Sequence, residues 1–138
     1  MAPARSVLVI DDDPDIRRIV GFALVNVGRF DVRLASGAEE ALALIAEARP
    51  DVVLLDVSMP LADGPQTLAL LRAMPSMKDV PIAFLTAAVG ESQPGTSRAQ
   101  ESADALRRVG AADIISKPFV FEDLCERVRR LLPRSEVL

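Results

Sequence analysis

A doubly wound α/β domain is the fold this sequence predicts, and three observations predict it. Short apolar runs recur along the chain: VLVI at 7–10, VVLL at 52–55 and PIAFL at 81–85. Runs of this length, bounded by turn residues, read as strands buried on both faces. Between them lie longer stretches whose apolar residues recur at helical spacing. Strands and helices alternate five times, which demands a parallel sheet with right-handed crossovers and helices on both faces. At 138 residues, half of them hydrophobic, the chain suits a single domain with a real core. That domain is expected over 1–138, its core from about 6 to 132, with 133–138 a short loose tail.

The elements follow in order. Strand one (7–10) ends in Asp11, Asp12 and Asp13. Pro14 suits the first position of a helix and Asp13 its N-cap, so Asp13 is expected as a cap and not as a ligand. Ile16, Ile19, Val20, Ala23, Leu24 and Val27 form the inward stripe of that helix, and Gly28 stops it. FDVRLA (30–35) alternates apolar and polar, as a half-exposed strand near a sheet edge does. Ser36 and Glu39 have capping-box spacing for the next helix, with Ala38, Ala41, Leu42 and Ile45 inward. Asp51 reads as a surface residue at the start of the third strand, which runs to Asp56. The third helix spans 65–74 with Leu68 and Leu71 inward. Strand four ends in Thr86. The stretch 87–102 is rich in Gly, Pro and small polar residues, so a loop is expected first, then a helix from about 96 or 97 to 109. The fifth strand lies within 112–116, Lys117 and Pro118 follow, and a last helix covers 121–132.

Composition closes off several classes of function. The chain has no His, so imidazole metal sites and His-based catalysis are excluded. Its net charge of −4 argues against a general nucleic-acid surface. One cysteine, Cys125, allows no internal disulfide, and its helical setting favours a structural thiol. No segment reaches membrane-spanning length or looks like a signal peptide. A cytoplasmic location with no membrane contact is expected.

The polar residues converge on one edge. Asp11 and Asp12, Asp56, Thr86 and Lys117 each stand at the carboxyl end of a different strand. In the doubly wound order 2-1-3-4-5 those strand ends share a pocket at the switch point. Clustered carboxylates need a cation, and hard oxygen donors without His or thiolate favour Mg²⁺. Lys117 adds a point charge and Thr86 a hydroxyl donor. The set suits phosphoryl transfer onto a carboxylate. Each residue alone has a plainer explanation: Asp56 could simply turn the chain, Thr86 could end a strand, and Lys117 could be a solvated charge. Their joint placement at four strand ends is much harder to reach by chance.

These residues resemble the receiver domain of two-component response regulators, a CheY-like, flavodoxin-like fold. The motifs are VLVIDDDPDIRR, VVLLDVSMPLADG, IAFLTA and GAADIISKPF, and the match covers nearly the whole chain. The resemblance implies Asp56 as phosphoacceptor and Asp11, Asp12 and Asp56 as Mg²⁺ ligands, with Ser58 adding a backbone carbonyl. It implies that Thr86 and Lys117 hold the phosphoryl oxygens, and that the Lys117-Pro118 bond is cis. The implied partner is a sensor histidine kinase or histidine phosphotransfer protein. The expected output is by protein contact without direct DNA binding, since no output domain follows the last helix, and a phosphorylation-dependent homodimer is an option. The chain would not be an enzyme beyond its own phosphorylation and dephosphorylation. Two features depart from the family: Ile114 replaces a frequent aromatic, and the segment between Thr86 and Lys117 is long. Segment 89–102 is therefore expected to carry the conformational response, while Ile114 stays put.

Two other functions compete. A haloacid-dehalogenase-type Mg²⁺-dependent phosphohydrolase also uses a strand-end aspartate, but it wants a second acid two residues on, where this chain has Ser58. A receiver-like interaction module that is not phosphorylated would not need the complete Asp, Thr and Lys set.

Overall fold

A computed structural model describes residues 5–56, 64–86, 112–116 and 119–132. Its strands are β1 (Ser6–Ile10), β2 (Asp31–Ala35), β3 (Val52–Asp56), β4 (Ile82–Thr86) and β5 (Asp113–Ser116). Its helices are α1 (Pro14–Asn26), α2 (Ala38–Glu47), α3 (Gly64–Arg72) and α4 (Phe121–Leu131), with a 3-10 turn at Pro75–Met77. The five strands pair in parallel in the order β2-β1-β3-β4-β5, as the alternation of elements predicts.

Helices cover both faces, because successive strand residues point opposite ways. Val7, Val9, Val52, Leu54, Ala83, Leu85 and Ile115 enter one core with Val20, Ala23 and Leu24 of α1 and Leu124, Cys125 and Val128 of α4. Leu8, Ile10, Val53, Leu55, Ile82 and Phe84 enter the other, with Ala41 and Ile45 of α2 and Leu68 and Leu71 of α3. Every residue of β3 and β4 is buried, so these central strands need apolar side chains on both faces. β2 lies at the sheet edge, and its residues are mostly part-exposed.

Capping starts α1 as expected. The Asp13 carboxylate accepts from the N–H groups of Asp15 (2.9 Å) and Ile16 (3.4 Å), and Pro14 follows. Three local expectations are corrected. Ile19 is 46% exposed, so the buried stripe of α1 is narrower than the apolar pattern and runs through Val20, Gly21, Ala23 and Leu24. The acid reaching back before α2 is Glu40, not Glu39: its Oε1 accepts from the Ser36 N–H at 2.6 Å. The offset arises because Gly37, in extended conformation, is the N-cap. Asp51 is more than a surface residue, since its Oδ2 accepts from the Ser6 N–H at 2.8 Å and ties the starts of β1 and β3 together.

The end of α1 divides its tasks between two residues. Arg29, not Gly28, takes the left-handed conformation (φ 62°). Gly28 answers a need for space: a Cβ there would lie 2.5 Å from Cε2 of Phe30 and 2.9 Å from Sγ of Cys125. The Cys125 thiol is buried and donates to the Ala23 carbonyl at 3.5 Å, consistent with a structural role. Its surroundings push the thiol pKa up from 9.0, chiefly through burial.

Arginines brace the connections. Arg33 donates to the carbonyls of Leu44 (2.7 Å) and Ala48 (2.6 Å) at the end of α2. Arg72 donates to Met77 and Val80, both at 2.6 Å, and shapes the turn that leads into β4. Arg127 joins α4 to β5 through Asp113 (3.4 Å) and the Ile114 carbonyl (3.4 Å). Such contacts satisfy carbonyls that helix ends and turns leave open.

Candidate phosphoryl and metal site

The sheet delivers three carboxylates to one place. Ile10 pairs with Leu55 across β1 and β3, so Asp11, the next residue, comes level with Asp56. Asp11 continues the Val7, Val9 series and Asp56 the Val52, Leu54 series, both of which face α1 and α4. One carboxylate oxygen from each of Asp11, Asp12 and Asp56 lies within 4.8 Å of the others. Asp11 and Asp56 are buried, 0% and 3% exposed, and Asp12 is exposed.

The acidic loop is tied down by its backbone. Asp11 N–H donates to the Ala35 carbonyl at 3.0 Å, which extends the β1–β2 ladder by one residue. Asp11 Oδ1 accepts from the Asp13 N–H at 3.0 Å. The Asp11 carbonyl accepts from Nη1 of Arg17 at 2.8 Å. Arg17 lies one turn into α1 and is half-buried. Its charge also acts on Glu40, whose carboxyl is held below its ordinary range by the Ser36 backbone N–H first, the Ser36 side chain second, and Arg17 as a further contribution. Reading the sequence overlooks both Arg17 and Glu40. The only signal for Arg17 is a basic residue one turn after an acidic loop, which many helices share.

Thr86 ends β4, 6% exposed. Asp56 pairs with Leu85, so Thr86 stands one residue beyond Asp56 along the next strand. Thr86 in turn pairs with Ser116, the last residue of β5. The structure thus gathers Asp11, Asp12 and Asp56 and sets Thr86 on the neighbouring strand end. Ser58, Lys117 with its bond to Pro118, the helix expected up to 109 and segment 89–102 lie outside the described residues. Ile114, half-buried on β5, has its carbonyl engaged by Arg127.

The donor set fits a hard divalent cation. It consists of carboxylate oxygens, two of them buried, on a chain without imidazole. No helix among the described residues is long and apolar enough to cross a membrane.

A doubly wound five-stranded parallel sheet with an acidic cluster at its carboxyl edge defines a class of ligand-binding α/β proteins. Comparison with known proteins narrows the class. Residues 7–129 match the family model described as the response regulator receiver domain, and the chain belongs to that family. The response regulator MprA of Mycolicibacterium vanbaalenii is 40% identical over 129 residues, 94% of this chain and 51% of MprA. The transcriptional regulatory protein PrrA of Mycobacterium tuberculosis is 38% identical over 128 residues, 93% of this chain and 50% of PrrA. The chain therefore spans about half the length of these curated relatives. Among solved structures, the Vibrio cholerae chemotaxis protein CheY4 superposes with a TM-score of 0.81 at 33% identity, covering 94% of this chain and all of that one. The receiver domain of NtrX from Brucella abortus gives 0.77 at 30% identity, covering 94% of this chain and 99% of that one. The chain is a receiver domain of two-component signalling, which sets aside the haloacid-dehalogenase alternative.

Proposed function

We propose that this receiver takes a phosphoryl group on Asp56 from the phosphohistidine of a sensor histidine kinase or a histidine phosphotransfer protein. An oxygen of the Asp56 carboxylate bonds to phosphorus as the imidazole N–P bond breaks, and the electron pair returns to the imidazole nitrogen. Hydrolysis later releases inorganic phosphate and restores the carboxylate. The observation that carries this reading is the gathering of Asp11, Asp12 and Asp56 at the carboxyl edge. Asp56 is the acceptor because it is the buried strand-end carboxylate flanked by both the acidic pair and Thr86. Asp11, Asp12, Asp56 and the Ser58 carbonyl would hold Mg²⁺. Bound there, Mg²⁺ offsets the negative charge shared by the carboxylates and an incoming phosphoryl group. Thr86 donates a hydrogen bond to a phosphoryl oxygen, and Lys117 supplies a positive charge.

In this reading residues 1–138 act as one cytoplasmic receiver unit, a phosphoacceptor that catalyses only its own phosphorylation and dephosphorylation. It signals through protein contacts and does not itself touch DNA, and segment 89–102 carries the response to phosphorylation.

Incubation with a small acyl-phosphate donor, with and without Mg²⁺, tests the assignment. The expected outcome is one Mg²⁺-dependent phosphoryl group per chain on the peptide containing Asp56, and none in Asp56→Asn. Labelling of that variant at the wild-type rate would remove Asp56 from the role, and a wild type that never labels would make this a receiver that works without phosphorylation.

A further inference from the structure

We propose that Arg17 is a positioning residue for the metal-binding acids, acting through the main chain of Asp11; this rests on the reading of Asp11 and Asp12 as Mg²⁺ ligands. Three contacts among the described residues hold Asp11. Its N–H reaches the Ala35 carbonyl at 3.0 Å, its Oδ1 takes the Asp13 N–H at 3.0 Å, and its carbonyl takes Arg17 Nη1 at 2.8 Å. The first contact belongs to the sheet and the second is local to the acidic loop. Only the third reaches from α1 back to the peptide that joins Asp11 to Asp12.

That peptide matters because Asp12 is exposed. Three carboxylates within 4.8 Å repel one another, and the exposed member is the one free to swing into water. A guanidinium fixed on the Asp11 carbonyl sets the plane of the Asp11–Asp12 peptide and so limits where the Asp12 side chain starts. The backbone of Arg17 is itself fixed, since its N–H makes the 2.9 Å helical bond to the Asp13 carbonyl.

The sign of the effect separates positioning from plain electrostatics. A cation near a metal site, acting by charge alone, weakens Mg²⁺ binding, so removing it strengthens binding. A positioning residue does the reverse, and loss of a group that orients a metal ligand commonly costs about tenfold or more in affinity. Mg²⁺ binding is measured on the full chain by calorimetry and by amide shifts of Asp12 and Asp13, for wild type, Arg17→Gln, Arg17→Lys and Arg33→Gln. Arg33 makes the same kind of contact, guanidinium to carbonyl, at the end of α2, so it serves as the control for a merely structural loss.

The expected result is about tenfold weaker Mg²⁺ binding in Arg17→Gln, a smaller loss in Arg17→Lys and wild-type affinity in Arg33→Gln. Amide exchange at Asp12 and Asp13 should quicken only in the Arg17 variants. If Arg17→Gln proves unstable, Arg17→Lys, which keeps the charge but not the planar fork of donors, decides by the same measure. Unchanged or tighter binding in the Arg17 variants, or an equal loss in Arg33→Gln, overturns the proposal while leaving the metal site intact. A wild type with no Mg²⁺ affinity overturns the reading of the site and this inference with it.

Discussion

Thr67 is the residue whose chemistry fits its place least. It is fully buried on α3 beside Leu68, yet its Oγ1 has no hydrogen-bond partner among the described residues. An orphaned hydroxyl in a low-dielectric core costs free energy that a methyl group of the same shape does not. Thr67→Val should therefore raise stability by about 1 kcal/mol, read as a later urea midpoint with an unchanged slope. An earlier midpoint would mean the hydroxyl is bonded in solution. The contrast with Asp11 and Asp56 is instructive. Both are as buried as Thr67, but they are charged, engaged and clustered, which is the pattern of a site.

Individual elements show where sequence reading reaches and where it stops. Strand ends are legible because an apolar run that breaks at an acid or a hydroxyl marks both the edge of the core and the residue delivered there. Asp11, Asp56 and Thr86 are legible as strand-end residues for this reason. Helix termini are less so: α2 begins one residue later than the Ser36–Glu39 spacing suggests, because extended Gly37 takes the N-cap and hands the reach-back contact to Glu40. Ile19 fits the helical period yet stays largely exposed, outside the narrower stripe that α1 buries. The hold of Arg17 on the Asp11 carbonyl depends on the path of a loop, which no periodicity encodes. Glu40 yields a prediction for the start of α2. Its carboxyl is held below its ordinary value of 4.5, chiefly by the Ser36 N–H, so the folded state favours the carboxylate. The stability this adds is fully present above 4.5 and is lost as pH falls through the lower folded-state value. The stability gap between wild type and Glu40→Gln should be flat near neutrality and shrink below about pH 4.5. A gap that widens on acidification would contradict the Ser36 contact.

For the whole molecule, the site works against the fold. Asp11 and Asp56 are buried with carboxylate oxygens within 4.8 Å. At an effective dielectric of about 20, two carboxylates at that separation repel by roughly 3.5 kcal/mol, and Asp12 adds to the load. Asp12→Asn should melt about 3 °C above wild type without divalent metal, since roughly 1 kcal/mol moves a chain of this size by that much. Mg²⁺ should then raise the wild-type midpoint and leave the variant nearly unmoved, because a ligand stabilises only the state that binds it. Equal melting curves in both conditions would mean the acids neither strain the fold nor share a cation. The sheet, meanwhile, works as a staircase. Asp11 and Asp56 stand on one tread, and Thr86 stands on the next, one peptide or about 3.3 Å higher. Its height is cut into the ladder and owes nothing to any rotamer. If Asp56 takes a phosphoryl group as proposed, the backbone offset to the Thr86 strand end stays the same whatever side chains dress the helices outside, and the two strands would serve that group as a fixed gauge.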